Sequence, residues 1–287
     1  MTSPMEDPSR LIAFQGEPGA YQHLACREAF PDLIPLACPS FEDSFAAVTL
    51  GRADRALFPI ENSLAGRVAD IHHLLPDSGL YIVGEHFLRI RHHLLAPKGA
   101  RIDRVKRVYS HIQGLSQCRK LIRDLGLEAI VRANTAGAAK EIAERNDPEE
   151  AVIASEIAGE IYGLQSLRAN VEDQLGNTTR FVVMARHRSD PDPKAGRTLT
   201  AVLFQVRSQP AALYKALGGF ATNGINVVKL ESYITDASFQ VAQFYLEIEG
   251  HPADKAVDRA LDELKYFSGR FKMLGVFPAH PYRGEPA

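Results

Sequence analysis

Gly176-Asn177-Thr178-Thr179-Arg180-Phe181-Val182-Val183-Met184 turns a polar loop into an apolar strand. Glu172-Asp173-Gln174 leads into it, so two hydroxyls, a guanidinium and an amide collect where the strand begins. Arginine offers a planar fork of donors that fits a carboxylate, and threonine a small, uncharged donor and acceptor. The set suits an anionic substrate with a hydroxyl group to be handled. On spacing alone the segment also reads as a Thr-rich strand with one solvated Arg. In a regular strand Thr179 and Phe181 share one face, and Thr178 and Arg180 the other. For Thr179 and Arg180 to reach one ligand the segment must be irregular, which Gly176 permits.

Before this segment, short apolar runs alternate with helical patterns, the mark of an α/β fold with parallel strands. Leu11 to Phe14, Leu33 to Cys38 and Arg55 to Ile60 read as strands. Ala20 to Phe30 and Phe41 to Leu50 read as helices, the second capped by Ser40 with Asp43. A further helix is expected to carry Leu64, Val68, Ile71 and Leu75 on one face. Beyond Pro76-Asp77-Ser78-Gly79 come longer extended stretches, Leu80 to Val83 and Leu88 to Leu95, and then a second alternating run from Val105 to Gly163. Two lobes follow, one over residues 10–80 plus 170–188 and the other over 81–169. Ligands of such sheets bind beyond the carboxyl ends of strands. Polar residues concentrate at those junctions: Glu17 to Tyr21, Glu61-Asn62-Ser63, Ser110-His111 and Asn134-Thr135. Each is also an ordinary helix cap when taken alone.

After Ser189-Asp190-Pro191-Asp192-Pro193, a linker by composition, the pattern is β-α-β-β-α-β over residues 197–278, with strands at Leu199 to Val206, Val227 to Ile234, Phe239 to Glu249 and Phe271 to Val276. That is a ferredoxin-like module for binding or pairing. The chain of 287 residues has 33 Lys and Arg against 35 Asp and Glu, which gives no electrostatic reason to expect nucleic acid or an acidic membrane as partner. Cys26, Cys38 and Cys118 form neither a disulfide framework nor a zinc pattern, which points to a reducing cytoplasm. The leader Met1 to Ser9 is no secretory signal, and no apolar run is long enough to span a bilayer. The pairs His72-His73 and His92-His93 lack metal-ligand spacing, and one member of each is expected at the surface. No dinucleotide loop, phosphate loop or nucleophile elbow is present. The sequence thus describes an enzyme or binder for a small organic anion that uses no cofactor and no metal.

These junctions resemble those of prephenate dehydratase. The motifs are Gly16-Glu17-Pro18-Gly19-Ala20-Tyr21, Pro59-Ile60-Glu61-Asn62-Ser63, Ser110-His111-Ile112-Gln113 and Asn177-Thr178-Thr179-Arg180-Phe181, and Gly224 to Ser232 resembles an ACT domain. The likeness runs from about residue 10 to 278, with no room before it for the mutase domain fused to some relatives, so the monofunctional form is expected. The resemblance implies a two-lobed fold like the type II periplasmic binding proteins over residues 10–188, followed by an ACT domain. It implies decarboxylative dehydration of prephenate to phenylpyruvate in phenylalanine synthesis, in a homodimer or homotetramer inhibited by phenylalanine. By motif, Thr179 is the catalytic hydroxyl, Arg180 the carboxylate-binding cation and Glu61 a candidate proton source. Tyr21, Asn62, Ser63, Ser110, His111, Gln113, Asn134, Thr135, Asn177 and Phe181 are the expected substrate contacts. Ala211, Ala212, Leu213, Asn226, Glu231 and Ser232 are the expected effector contacts. The chain departs from the family pattern at Ile112 and Gly114, and at Ala211, Tyr233 and Ile234, where Gly, Arg and Pro are usual. Two alternatives stay open: the same chemistry on arogenate, and a noncatalytic sensor of amino or keto acids.

Overall fold

In the computed structural model, which describes residues 7–207, 209–234 and 242–284, the apolar run Leu11–Gln15 forms the first strand (β1), buried over its first four residues. Tyr21–Ala29 (α1) leads to Ile34–Cys38 (β2), and Phe41–Thr49 (α2) to Arg55–Asn62 (β3). Both strands pair with β1 in parallel. α2 begins at the expected cap: Ser40 Oγ accepts from the Asp43 amide at 3.0 Å and donates to Asp43 Oδ2 at 2.9 Å. Such a cap stabilises a helix by about 1 kcal/mol. Phe45 of α2 stacks on Phe58 of β3 with centroids 4.0 Å apart, which locks helix to sheet.

The helix expected through Leu64 and Val68 does not form there. Gly66–Arg67 (β4) instead folds back on β3, with Arg67 opposite Glu61 and Gly66 opposite Asn62. Asn62 Oδ1 accepts the amides of Leu64 and Ala65 at 3.0 and 2.9 Å. This local turn competes with helix for the same donors and wins. The helix is Ala69–Leu74 (α3), followed by a 3-10 turn over Leu75–Asp77; Ile71 and Leu75 are buried while Leu64 is exposed.

Tyr81–Arg89 (β5) ends the first long extended stretch. His93–Ala96 (β6), Arg107–His111 (β7), Glu128–Arg132 (β8), Glu150–Ala154 (β9) and Gln165–Arg168 (β10) form a second sheet in the order β10-β6-β9-β7-β8. Ile112–Ser116 (α4), Arg119–Asp124 (α5), Thr135–Arg145 (α6) and Glu156–Tyr162 (α7) connect its strands. The organising segment is Thr178–Ala185 (β11). The first sheet runs β2-β1-β3-β11-β5, with β4 on β3. β5, assigned to the second lobe by its position in sequence, is therefore a strand of the first sheet. The extended run breaks after it, where the Ile90 amide bonds to Asn177 O at 2.8 Å.

Thr198–Val206 (β12), Ala212–Thr222 (α8), Val227–Ile234 (β13), Ala242–Glu249 (β14), Lys255–Phe267 (α9) and Ser268–Pro278 (β15) complete the chain. Their antiparallel sheet, β13-β14-β12-β15, is ferredoxin-like, and Val202, Phe204, Leu246 and Ile248 meet Phe220, Leu261 and Leu264 of the two helices. Residues 239–241 of the strand expected from Phe239, and 1–6 of the leader, lie outside the described residues.

The chain divides into two compact units. One comprises the residues up to Val68 with Phe87–Phe181, and the other Ala69–His86 with the residues from Val182 on. Inside the second unit, segment 69–86 packs against the ferredoxin-like domain. A Cβ on Gly275 would strike the Ile82 carbonyl, so two backbones meet where only glycine fits. Lys272 Nζ donates to Pro76 O at 2.7 Å. The buried Glu85 carboxylate takes Arg283 Nε and Nη2 at 2.7 and 3.0 Å. Among the described residues no helix is long and apolar enough to cross a membrane.

Candidate active site

In the first unit a cavity of 520 Å³ opens beyond the carboxyl ends of β1, β3, β7 and β8, at the start of β11. Gly16 to Tyr21 form one wall. Gly19 has φ of +91°, and a Cβ there would lie 3.0 Å from the Ala158 backbone, so backbone freedom and space both require glycine. The loop is pinned in place because Ser155 Oγ donates to Gly19 O at 2.5 Å and Tyr162 Oη to Pro18 O at 2.7 Å. α1 then starts at Ala20 with no side-chain cap, leaving its first amides directed at the cavity.

β11 meets the cavity with alternate side chains. Thr179 and Phe181 line it; Thr178 and Arg180 do not. Arg180 is 3 % exposed, and its guanidinium carbon lies 6.0 Å from the centre of the Phe87 ring. Arg180, expected to reach a ligand beside Thr179, is not among the residues that line the cavity, in keeping with the alternation of side chains along a strand. Asn62 Nδ2 donates to Thr179 Oγ1 at 3.0 Å and to Asn177 Oδ1 at 2.7 Å. Since Asn62 Oδ1 is held by two backbone amides, its nitrogen must be the donor, and the Thr179 proton is left for another acceptor.

Tyr21, Asn62, His111, Gln113, Asn134, Thr135 and Asn177 also line the cavity. Three expected contacts do not. Ser110 is fully buried and donates to Ile153 O at 2.6 Å. Ser63 spans a turn, donating to Gly176 O at 3.2 Å and accepting from the Thr178 amide at 3.0 Å. Glu61, opposite Arg67 in the pairing of β3 with β4, is not among the residues that line the cavity. Gly114 is needed where it stands, because a Cβ would come within 2.6 Å of Ser110 Oγ.

Sequence reasoning missed Arg67, His92 and Gln117 and named Glu17 only as part of its junction; all four lie on the wall. Arg67 was hidden by the helix expected across it, and its strand pairing is visible only in the fold. The adjacent pair His92-His93 predicts one exposed member; both are buried, with His92 3 % exposed and His93 7 %. Burial holds the His92 imidazole below its usual pKa, against the opposing pull of its bond to Gln117 and the nearby Glu172. Burial pushes the Tyr21 phenol well up. At neutral pH both are uncharged.

In the second unit Ala211 caps α8 in the left-handed region, with φ of +58°. Ala212 is buried and Leu213 packs on the core. Asn226 O accepts the Glu249 amide at 3.0 Å, and Glu231 pairs with Lys229 at 3.1 Å. Ser232 is exposed on the edge strand β13. Tyr233, on the opposite face, is buried against His72 and His73 and takes a hydrogen bond from Gln243 at 2.9 Å.

Comparison with known proteins agrees with this arrangement. A sequence model described as prephenate dehydratase matches residues 12–189. A Komagataeibacter europaeus protein named bifunctional N-acyl-homoserine lactone acylase/prephenate dehydratase is 48 % identical over 96 % of this chain and 99 % of its own. Arogenate dehydratase/prephenate dehydratase 6 of Arabidopsis thaliana is 38 % identical over 96 % of this chain and 70 % of its own. A solved prephenate dehydratase from Arthrobacter aurescens, in complex with L-Phe, superposes with a TM-score of 0.85 at 26 % identity, covering 96 % of this chain and 92 % of that one. With a family match over more than half its length and close relatives along nearly all of it, this chain belongs to the prephenate dehydratase family.

Proposed function

We propose that the cavity binds prephenate and converts it to phenylpyruvate, a step of L-phenylalanine synthesis. The observation that carries this reading is the Thr179 hydroxyl, which accepts a hydrogen bond from Asn62 and so keeps its own proton for an oxygen in the cavity. In the reaction the bond from ring carbon to carboxylate breaks and its electron pair enters the ring. The ring hydroxyl then departs, and aromatisation drives both losses. Thr179 stabilises the departing oxygen, and the proton that completes the water comes from His111 or solvent on the same wall. The pyruvyl carboxylate survives, so it can be held throughout by Arg67 and the open amide end of α1. The departing carboxylate is better placed against the apolar surface of Phe181, since gripping it would favour the ground state over a transition state losing that charge.

The acylase activity in the name of the Komagataeibacter relative requires a nucleophile activated by a base. Thr179 is hydrogen-bonded to an amide instead, which favours the dehydratase reading. The purified protein should release phenylpyruvate from prephenate; arogenate in a parallel assay should give phenylalanine far more slowly. Absence of phenylpyruvate would overturn the reading, and faster turnover of arogenate would change the substrate. The finer expectations rest on the same family: phenylalanine as effector at the ferredoxin-like domain, assembly as a dimer or tetramer, and a cytoplasmic setting suited to three free, buried thiols.

A further inference from the structure

Five side chains in the first unit form one continuous line of hydrogen bonds, and its direction is fixed at one end. Asn62 Oδ1 is occupied by the Leu64 and Ala65 amides, so Asn62 must donate to Asn177 Oδ1 at 2.7 Å. Asn177 then has only its nitrogen left for Gln117, and Nδ2 donates to Gln117 Oε1 at 2.9 Å. The same Gln117 oxygen lies 2.7 Å from His92 Nε2. An oxygen already accepting one hydrogen bond must accept here too, so Nε2 carries the imidazole proton. His92 Nδ1 is thereby a bare acceptor, and of the two acceptors within reach of the single Tyr21 Oη proton, His92 Nδ1 at 2.6 Å is nearer than Arg91 O at 3.1 Å. Every bond from Asn62 to His92 Nε2 follows from the turn at Asn62.

The consequence lies at Gln117, whose oxygen is turned away and held by two donors. Its amide nitrogen makes no hydrogen bond among the described residues, and Gln117 lines the cavity. We propose that Gln117 is a substrate-binding residue that presents two N–H donors to a carboxylate oxygen of the substrate, and that His92 is the positioning residue that fixes this orientation. The proposal deepens the dehydratase reading and rests on it for the identity of the anion. An unanchored glutamine can present either end of its amide; this one cannot offer its oxygen to the cavity without turning its own N–H donors onto those of His92 Nε2 and Asn177 Nδ2. The tautomer is set by the Gln117 oxygen on Nε2, and Tyr21 Oη, which also has Arg91 O within reach, follows it at Nδ1.

The test combines kinetics with a measurement that needs no substrate. In nitrogen-15 spectra of labelled protein at neutral pH, His92 should appear as the Nε2–H tautomer. Gln117→Leu should raise KM for prephenate about tenfold or more, with kcat changed less than threefold. Gln117→Glu should raise it further, because it keeps both inward hydrogen bonds and turns an anionic oxygen on the substrate. His92→Phe should raise KM about fivefold, and His92→Gln, which can still donate to Gln117, should recover most of that loss. A bare Nε2, or an unchanged KM in Gln117→Leu, overturns the proposal while wild-type turnover leaves the dehydratase reading standing. Failure of the wild type to act on prephenate sinks the substrate contact with that reading, and the spectrum alone then decides the orientation by His92.

Discussion

At Thr179 and Arg180 two adjacent residues with complementary chemistry are separated by the strand they share. Thr179→Val, nearly equal in volume, should lower kcat at least a hundredfold and leave KM within about threefold, because the hydroxyl is needed only as the leaving oxygen departs. Unchanged turnover in the folded variant would remove Thr179 from the chemistry. Arg180 and Arg67 should behave in opposite ways. Arg180 is buried over Phe87, so Arg180→Lys should lower stability by roughly 1–3 kcal/mol, measured by denaturant unfolding, with KM little altered. Arg67 lines the cavity, so Arg67→Met should raise KM about tenfold with stability nearly unchanged. A large KM effect at Arg180 alone would restore the assignment drawn from the motif. The sequence posed this question through its period-two alternation, yet could not answer it, because Gly176 left a bulge open. That Thr179 and Phe181 would share a face was legible; that this face, without Arg180, lines the cavity was not. His92 and Gln117 carried no signal at all, since their roles depend on contacts between residues 25 to 80 positions apart.

At the scale of elements, local pattern was reliable wherever side chains decide and failed where a backbone turn does. The Ser40 cap, the first three strands and the β-α-β-β-α-β order are readable from propensity and period. The helix expected from Leu64 was lost to the Asn62 turn, whose hydrogen bonds stabilise a tight return of β4 onto β3. Ala211 shows the opposite case, a substitution visible in sequence whose physical consequence the structure supplies. An alanine held at φ of +58° is strained by about 1 kcal/mol, and glycine would lose more chain entropy on folding by part of that amount. Ala211→Gly should therefore raise stability by about 0.5 kcal/mol and loosen the loop that opens α8. If phenylalanine binds near that loop, calorimetric titration should show tighter binding in the glycine variant. Equal unfolding midpoints and weaker binding would show that the methyl group is accommodated without strain.

For the whole molecule, the linker at Asp190 to Pro193 marks a change of composition, yet contacts within the second compact unit join segment 69–86 to the domain beyond it. Cutting after residue 188 removes Arg283 from the buried Glu85 carboxylate, Lys272 from Pro76 O and the Gly275 strand from Ile82. Breaking one buried, bidentate pair alone costs about 3–5 kcal/mol, a large part of the stability of an ordinary domain. Residues 1–188 should accordingly be insoluble or only partly folded; a soluble fragment with wild-type turnover would show segment 69–86 to be self-sufficient. The sequence concealed this because each contact joins positions nearly two hundred residues apart. Acid should expose a second global property. Burial lowers the pKa of His23, of His92 and of His86, the last to about 4 with help from His280. Between pH 6.5 and 4 the unfolded chain binds protons that the folded chain refuses, so stability present above 6.5 is lost as pH falls through that window. Glu28, raised by burial, opposes this in its own range. His86 is partly open to solvent, and after allowing for screening its share is about 1–2 kcal/mol. Denaturant unfolding at pH 7.5 and pH 5 should therefore show a smaller difference for His86→Phe than for the wild type. Equal differences in the two proteins would mean that His86 accepts its proton as readily folded as unfolded, and the acid sensitivity would then have to come from His23 and His92.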